Sequence, residues 1–186
     1  IKKLIIMKKL LFLLVFIPLV SFGQTDFRKM SWGDSVEDLK KTYPEATFKE
    51  GSQEGFDILM QEGTLIGIEV FIVYVFSENE LVAGMYNIHP IGYKNSTDRL
   101  RDFGNISARL NDKYTMERED DWVDTSYKDD PNSLDHAISM GDVVLVEIGE
   151  AGDTRIVHNL AKGEHNVIYG SAKWTELMRQ AQQDDF

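Results

Sequence analysis

The chain has 186 residues, 42% of them hydrophobic and 27% charged, and it contains no Cys. That composition belongs to a folded globular protein and excludes a collagen-like or disulfide-stapled scaffold, thiolate metal ligands and a thiol nucleophile. Its 31 acidic residues against 20 Lys and Arg give a net charge of −11, the wrong sign for gripping a phosphate backbone.

Met7-Lys8-Lys9 opens onto an apolar run, Leu10 to Val20, that ends in Ser21-Phe22-Gly23. A short basic start, an apolar core and small residues at the −3 and −1 positions make a secretory signal peptide. The run contains Pro18 and falls short of the roughly 20 apolar residues that a membrane-spanning helix needs. Residues 7–23 are therefore read as a signal cleaved before Gln24. Residues 1–6 read as translated leader, and 24–186 as a single mature domain divisible into halves 24–93 and 94–186. Met-Lys-Lys followed later by Ser-Phe-Gly-Gln resembles export signals of Bacteroidetes-type Gram-negative bacteria, which implies a periplasmic or secreted product. With no Cys there is no thiol for a lipid anchor. Cleavage removes four Lys and no acid, so the mature surface is more acidic still. Such a surface repels nucleic acid and anionic lipid, and it suits a basic partner or simple solubility.

In the mature chain, Asp34 or Ser35 can cap a helix, each with an acid three residues later to close a capping box. Val36, Leu39 and Tyr43 share one helical face, and Pro44 stops it. Residues 47–89 read as strands. Phe56, Ile58 and Met60 alternate with more polar neighbours, Glu62-Gly63-Thr64 reads as a turn, and Leu65 to Phe76 is apolar enough for a central strand. Ser77-Glu78-Asn79-Glu80 turns the chain, and Leu81 to His89 returns antiparallel, making a meander of at least three strands. A second helix begins at Asn95-Ser96-Thr97, with Leu100, Phe103, Ile106, Leu110 and Tyr114 forming its apolar stripe. After it come an acidic strand around Trp122, a loop over 128–133, and strands near 134–140, 143–148, 154–161 and 165–169. Turns at Met140-Gly141-Asp142, Glu150 to Asp153 and Lys162-Gly163-Glu164 separate the later strands. A last helix starts near Ser171, with Trp174, Leu177, Met178 and Ala181 on one side.

The order is helix then antiparallel strands, given twice, plus a C-terminal helix. This predicts an α+β fold, an antiparallel sheet with helices packed on one face. Phe27, Trp32-Gly33, Ser35 and Leu39 are spaced like the opening "F…WG-x-S-x-x-x-(V/L)" of small exported bacterial domains. Lys113-Tyr114 at the end of the second helix and Val167-Ile168-Tyr169 before the last helix extend the resemblance, although Thr115 stands where those proteins have Gly. The layout is similar to the helix-plus-sheet units of BamE-like outer-membrane assembly lipoproteins and to the tandem units of β-lactamase inhibitor protein. The resemblance implies a non-enzymatic role in binding other proteins. A sharper form of it is an inhibitor or immunity protein for a basic partner, and an envelope assembly or structural accessory is the alternative. It carries over no catalytic residue.

The residues themselves nominate little chemistry. No phosphate loop, zinc-protease or serine-nucleophile motif occurs in its required context, and nothing calls for a cofactor. A turn at 162–164 pairs His158 near Ile168 and not with His165, so the two read as isolated strand histidines and not as metal ligands. The acids from Glu117 to Asp135 could offer oxygen ligands to Ca²⁺, but their spacing is not that of an EF-hand. A carboxylate-pair hydrolase or a small-ligand carrier is a further alternative that the acid count alone does not specify. Trp32 and Trp174 read as core. Trp122, set among acids, is the candidate aromatic contact for a partner, with Asp120, Asp121 and Asp124 as its charged surround. The sharpest expectation here is export. N-terminal sequencing or intact mass of the secreted product should find a chain that begins at Gln24, and a membrane-retained full-length chain would contradict this reading.

Overall fold

The computed structural model describes residues 26–53, 55–89 and 96–184. The signal segment, Asn95 at the start of the second helix and the boundary between the two halves lie outside the described residues. The protein is an α+β fold built on one antiparallel sheet of nine strands. In chain order the elements are α1 (Val36–Thr42), β1 (Lys49–Gln53), β2 (Phe56–Leu65), β3 (Ile68–Ser77) and β4 (Glu80–Ile88). Then follow α2 (Ser96–Asn111), β5 (Met116–Arg118), β6 (Asp121–Trp122), α3 (Leu134–Met140), β7 (Val143–Ala151), β8 (Thr154–Ala161), β9 (Glu164–Gly170) and α4 (Ala172–Asp184). Among the described residues no helix is long and apolar enough to cross a membrane.

The strands are ordered β1-β2-β3-β4-β9-β8-β7-β5, with β6 also on β7. Each half thus places its last strand at the centre, and β4 pairs with β9 from Ala83–Gly170 to Asn87–Asn166. Over this seam lies Phe27, 2% exposed, with its ring 5.5 Å from Tyr74, 5.3 Å from Tyr86 and 5.5 Å from Tyr169. Gly84 makes room for it, because a Cβ there would collide with the Phe27 ring.

The opening motif acquires a physical role at this point. Asp26 accepts a hydrogen bond from the Trp32 amide at 2.9 Å, and the Trp32 indole donates across to Thr154 of the second half at 2.9 Å. Gly33 takes φ +89°, which a side chain would resist. Ser35 caps α1 in a full capping box with Asp38. The F…WG-x-S pattern is therefore a clip that fastens the N-terminal segment over both halves.

Two expectations need correction. Glu62-Gly63-Thr64 is not a turn: β2 runs on to Leu65, and Gly63 is there because a Cβ would strike Ile72 of the neighbouring strand. The chain reverses instead at Ile66-Gly67, both at positive φ, as a tight hairpin turn demands. Residues 134–140 form a helix, not a strand. Ala137 and Ile138 point into the core, and Gly141 at φ +88° ends α3 by donating to the Ala137 and Ile138 carbonyls. An i, i+3, i+4 set of three apolar residues resembles a strand when read over so short a window.

The two sheet faces are unequal. Leu39 of α1, Ile106 and Leu110 of α2, and Ala137 and Ile138 of α3 pack on one face, against Leu59, Tyr74, Ile156, Leu145 and Leu160. The expectation that the helices share one face fails for the closing helix, which meets the other face, where Trp174 packs with Phe56, Val73, Val75 and Ala83. Leu110→Ala should lower stability by about 2–5 kcal/mol, because it empties a core site between α2 and the sheet. Gly84→Ala should cost about 1–3 kcal/mol by forcing Phe27 off the seam. Urea denaturation reads both, and changes below about 0.5 kcal/mol, the scale of surface substitutions, would contradict the packing.

Candidate functional site

Two places on the helix-covered face concentrate polar chemistry. The first is a buried row beneath α2. The two-residue turn between β7 and β8 sets Glu147 directly opposite His158. The equally short turn between β8 and β9 sets His158 opposite Val167 and His165 opposite Leu160. His158 and His165 are therefore diagonal neighbours on one face, close enough for long side chains to meet. Their Nε2 atoms lie 3.0 Å apart, and His158 Nδ1 is 2.9 Å from Glu147 Oε2. Ser107 of α2 donates its hydroxyl proton to the same Glu147 oxygen at 2.7 Å. The Phe103 ring stacks on His158 at 4.1 Å and an angle of 16°.

The expectation of two isolated histidines is thus overturned by register. A direct-partner reading of the hairpin misses the diagonal contact, although the two short turns and the alternation of faces were there to find it.

Geometry settles the protons in this row. Ionised Glu147 can only accept, so His158 donates Nδ1–H to it, and neutral His158 offers a lone pair at Nε2, which accepts from His165 Nε2–H. Burial would raise the Glu147 carboxyl, but the hydrogen bonds from His158 and Ser107 outweigh it and hold the group below its ordinary range. Burial lowers His158 against the opposing pull of Glu147. Burial, with His158 and His89 adding to it, pushes His165 down to about 3. Both imidazoles are neutral at pH 7.

Ser, His and a carboxylate meet here, yet the order is wrong for a nucleophile. The Ser107 hydroxyl gives its proton to the acid, and the His158 nitrogen that would take a nucleophile's proton faces a second histidine. His158 is also 0% exposed, so no substrate reaches it. Among the described residues no group of three or more His, Asp or Glu is placed to hold a metal ion.

The second place is open to solvent. A cleft of about 770 Å³ lies between the N-terminal clip, the end of α2 and the β7–β8 turn. Trp32, Tyr114 and Tyr169 form its aromatic wall, and Asp26, Glu150 and Asp153 line it as acids. Lys113 is the one cation among its described lining residues, and its ammonium sits 4.8 Å from the centre of the Tyr114 ring. Burial, with Tyr114 and Tyr86 nearby, raises the Tyr169 phenol, so it stays protonated. No family model, curated protein or solved structure matches the chain.

The residues singled out around Trp122 fall elsewhere. Trp122 is half-buried on β6, opposite Val143, and packs on the cluster of Ala137, Ile138 and Leu145. Asp120 is bound by Arg118 at 2.9 Å, and Asp124 accepts from the Ser126 amide at 2.8 Å and its hydroxyl at 2.6 Å. Asp121 is exposed. Asp130 caps the short turn at 131–133, and Asp135 pairs with Arg99 at 2.8 Å. Half of the eight acids in the run, Asp120, Asp124, Asp130 and Asp135, are thus engaged within the chain. Trp122→Ala should cost at least about 1 kcal/mol through lost packing, whereas Asp121→Asn should stay within about 0.5 kcal/mol. Thermal or urea unfolding of the two variants distinguishes a packing role for the tryptophan from a free contact surface.

Proposed function

We propose that this chain is an exported, non-enzymatic interaction domain that receives a basic segment of another protein in the Trp32–Tyr114–Tyr169 cleft. The observation that carries the reading is the pairing of that aromatic wall, among the described residues, with three acids against one lysine. Aromatic side chains supply rigid contact area and favour a cation over the ring face, while the acids steer a positive partner on approach. The chain's −11 net charge adds to that steering. The cleft supports this reading better than the Trp122 strand does, because Asp120 and Asp124 already have partners within the chain. An inhibitor or immunity role toward a basic protein is the specific form that this reading favours, and an assembly accessory is its alternative. The volume of the cleft also lies in the range of small-ligand pockets, so a small amine carrier is the second reading.

Titration with synthetic peptides tests it. A Lys/Arg-rich peptide carrying one aromatic residue should bind at least about tenfold more tightly than its Glu-substituted counterpart, a difference of about 1.4 kcal/mol. Asp153→Lys with Glu150→Lys should abolish that preference without changing the melting temperature, since both side chains are exposed. Equal affinity for the two peptides would overturn the proposal. Tight binding of a free amine without the peptide would favour the carrier reading.

A further inference from the structure

The cleft continues past its aromatic wall. Tyr114, Tyr169 and Lys113 also line an adjoining hollow of about 140 Å³ at the C-terminal end of α2. Ile66 from the β2–β3 turn, Ile106 and Leu110 from α2, and Val167 from β9 give this hollow apolar walls. Pockets that hold a whole small ligand run to about 300–1,000 Å³, whereas an apolar cavity of about 150 Å³ takes up a benzene-sized group. The hollow is therefore the size of one large apolar side chain.

Its charge is the reverse of the cleft's. Among the described residues no acid lines it, and Arg109 and Lys113 both do. Burial raises the phenols of Tyr86 and Tyr169, so they stay protonated and add no negative charge. Asp112 stands 3.8 Å from the Arg109 guanidinium, but both side chains are well exposed, and such a pair holds little. The Lys113 ammonium rests near the Tyr114 ring and keeps its three donors for an oxygen ligand. The negative end of the α2 dipole amounts to about half an elementary charge, which the two cations outweigh.

Ile66 is the second observation at this place. It is 50% exposed and sits at φ +46°, a conformation in which a β-branched residue is rare and which a hairpin turn ordinarily gives to Asn or Gly. An exposed apolar side chain on a strained backbone is the kind of feature found where a surface binds something.

We propose that this hollow takes the C-terminal residue of the segment that enters the cleft, with its apolar side chain against Ile66 and Leu110 and its free carboxylate on Arg109 and Lys113. The inference rests on the cleft reading for the identity of that segment. A residue inside a chain brings only neutral amides to two cations. The last residue brings a charge fixed beside its own side chain, and a guanidinium meets a carboxylate with two parallel donors. The partner's segment is thus basic along its length and ends in a residue such as Leu.

Calorimetric titration of the intact protein with synthetic peptides tests this. A Lys/Arg-rich peptide with one aromatic residue and a C-terminal Leu should bind at least about tenfold more tightly as the free acid than as the amide. General attraction to a chain of net charge −11 gives the opposite order, because the amide is the more positive peptide. Arg109→Gln should shrink the ratio below about threefold and leave the preference for basic over Glu-substituted peptide in place, since Arg109 is not among the described lining residues of the cleft. Ile66→Asn should weaken the free-acid peptide by at least about threefold without lowering the melting temperature, because Asn accepts the left-handed backbone. Equal affinity for acid and amide, with the basic preference intact, would overturn this inference and leave the cleft reading standing. Loss of the basic preference would overturn both. An Ile66→Asn protein that melts lower but binds as wild type would make Ile66 structural and overturn the inference. Displacement of the peptide by micromolar N-acetyl-leucine would do the same, since a small apolar acid would then be the ligand.

Discussion

Pairing of β4 with β9 is the constraint on which the rest of this molecule depends. It joins the last strand of each half and so makes one sheet from two helix-then-strand units. Closing a loop of that length costs entropy that grows only slowly with loop size, but the contacts it rewards come late in folding. The seam is stabilised from above by Phe27, which touches rings from β3, β4 and β9 at once. Gly84 permits this contact, and the Trp32–Thr154 hydrogen bond extends it to β8. Removing the seam would separate the tyrosines that form one floor and would also dismantle one wall of the open cleft.

The two halves are built alike and filled differently. Under α1 the first half is apolar and aromatic, and the Tyr74 hydroxyl is satisfied by Gln61 at 3.0 Å. Under the middle of α2 the second half buries a carboxylate and two imidazoles instead. Such a row stabilises only when every member finds a partner, because an unsatisfied buried polar group costs about 1–3 kcal/mol. Here Ser107, Glu147, His158 and His165 are joined in one chain of bonds. The arrangement holds while the histidines are neutral.

The cleft is a product of convergence. Its wall draws on the N-terminal clip, the residues just after α2, the β7–β8 turn and the end of β9. No two of these segments are adjacent in the chain. Asp124 and Asp130, by contrast, are engaged by the Ser126 and Asn132 amides two residues on, a common fate of an Asp beside Ser or Asn.

The sequence by itself determined the class of fold and narrowed the α1 cap to Asp34 or Ser35, because periodicity and capping are local properties of the chain. Reading the helix at 134–140 and the glycine at 63 needed more. A three-residue apolar set fits either period, and Gly63 answers to a side chain on another strand. The histidine row lay between these cases. Its register follows from two short turns, so the Glu147–His158 contact and the His158–His165 diagonal were computable, yet the helix that seals them was not. Only the tertiary structure placed Phe103 and Ser107 over that row, sent α4 to the opposite face and gathered Trp32, Tyr114 and Tyr169 into one wall. Those outcomes rest on contacts between segments far apart in the chain, and no local pattern encodes them.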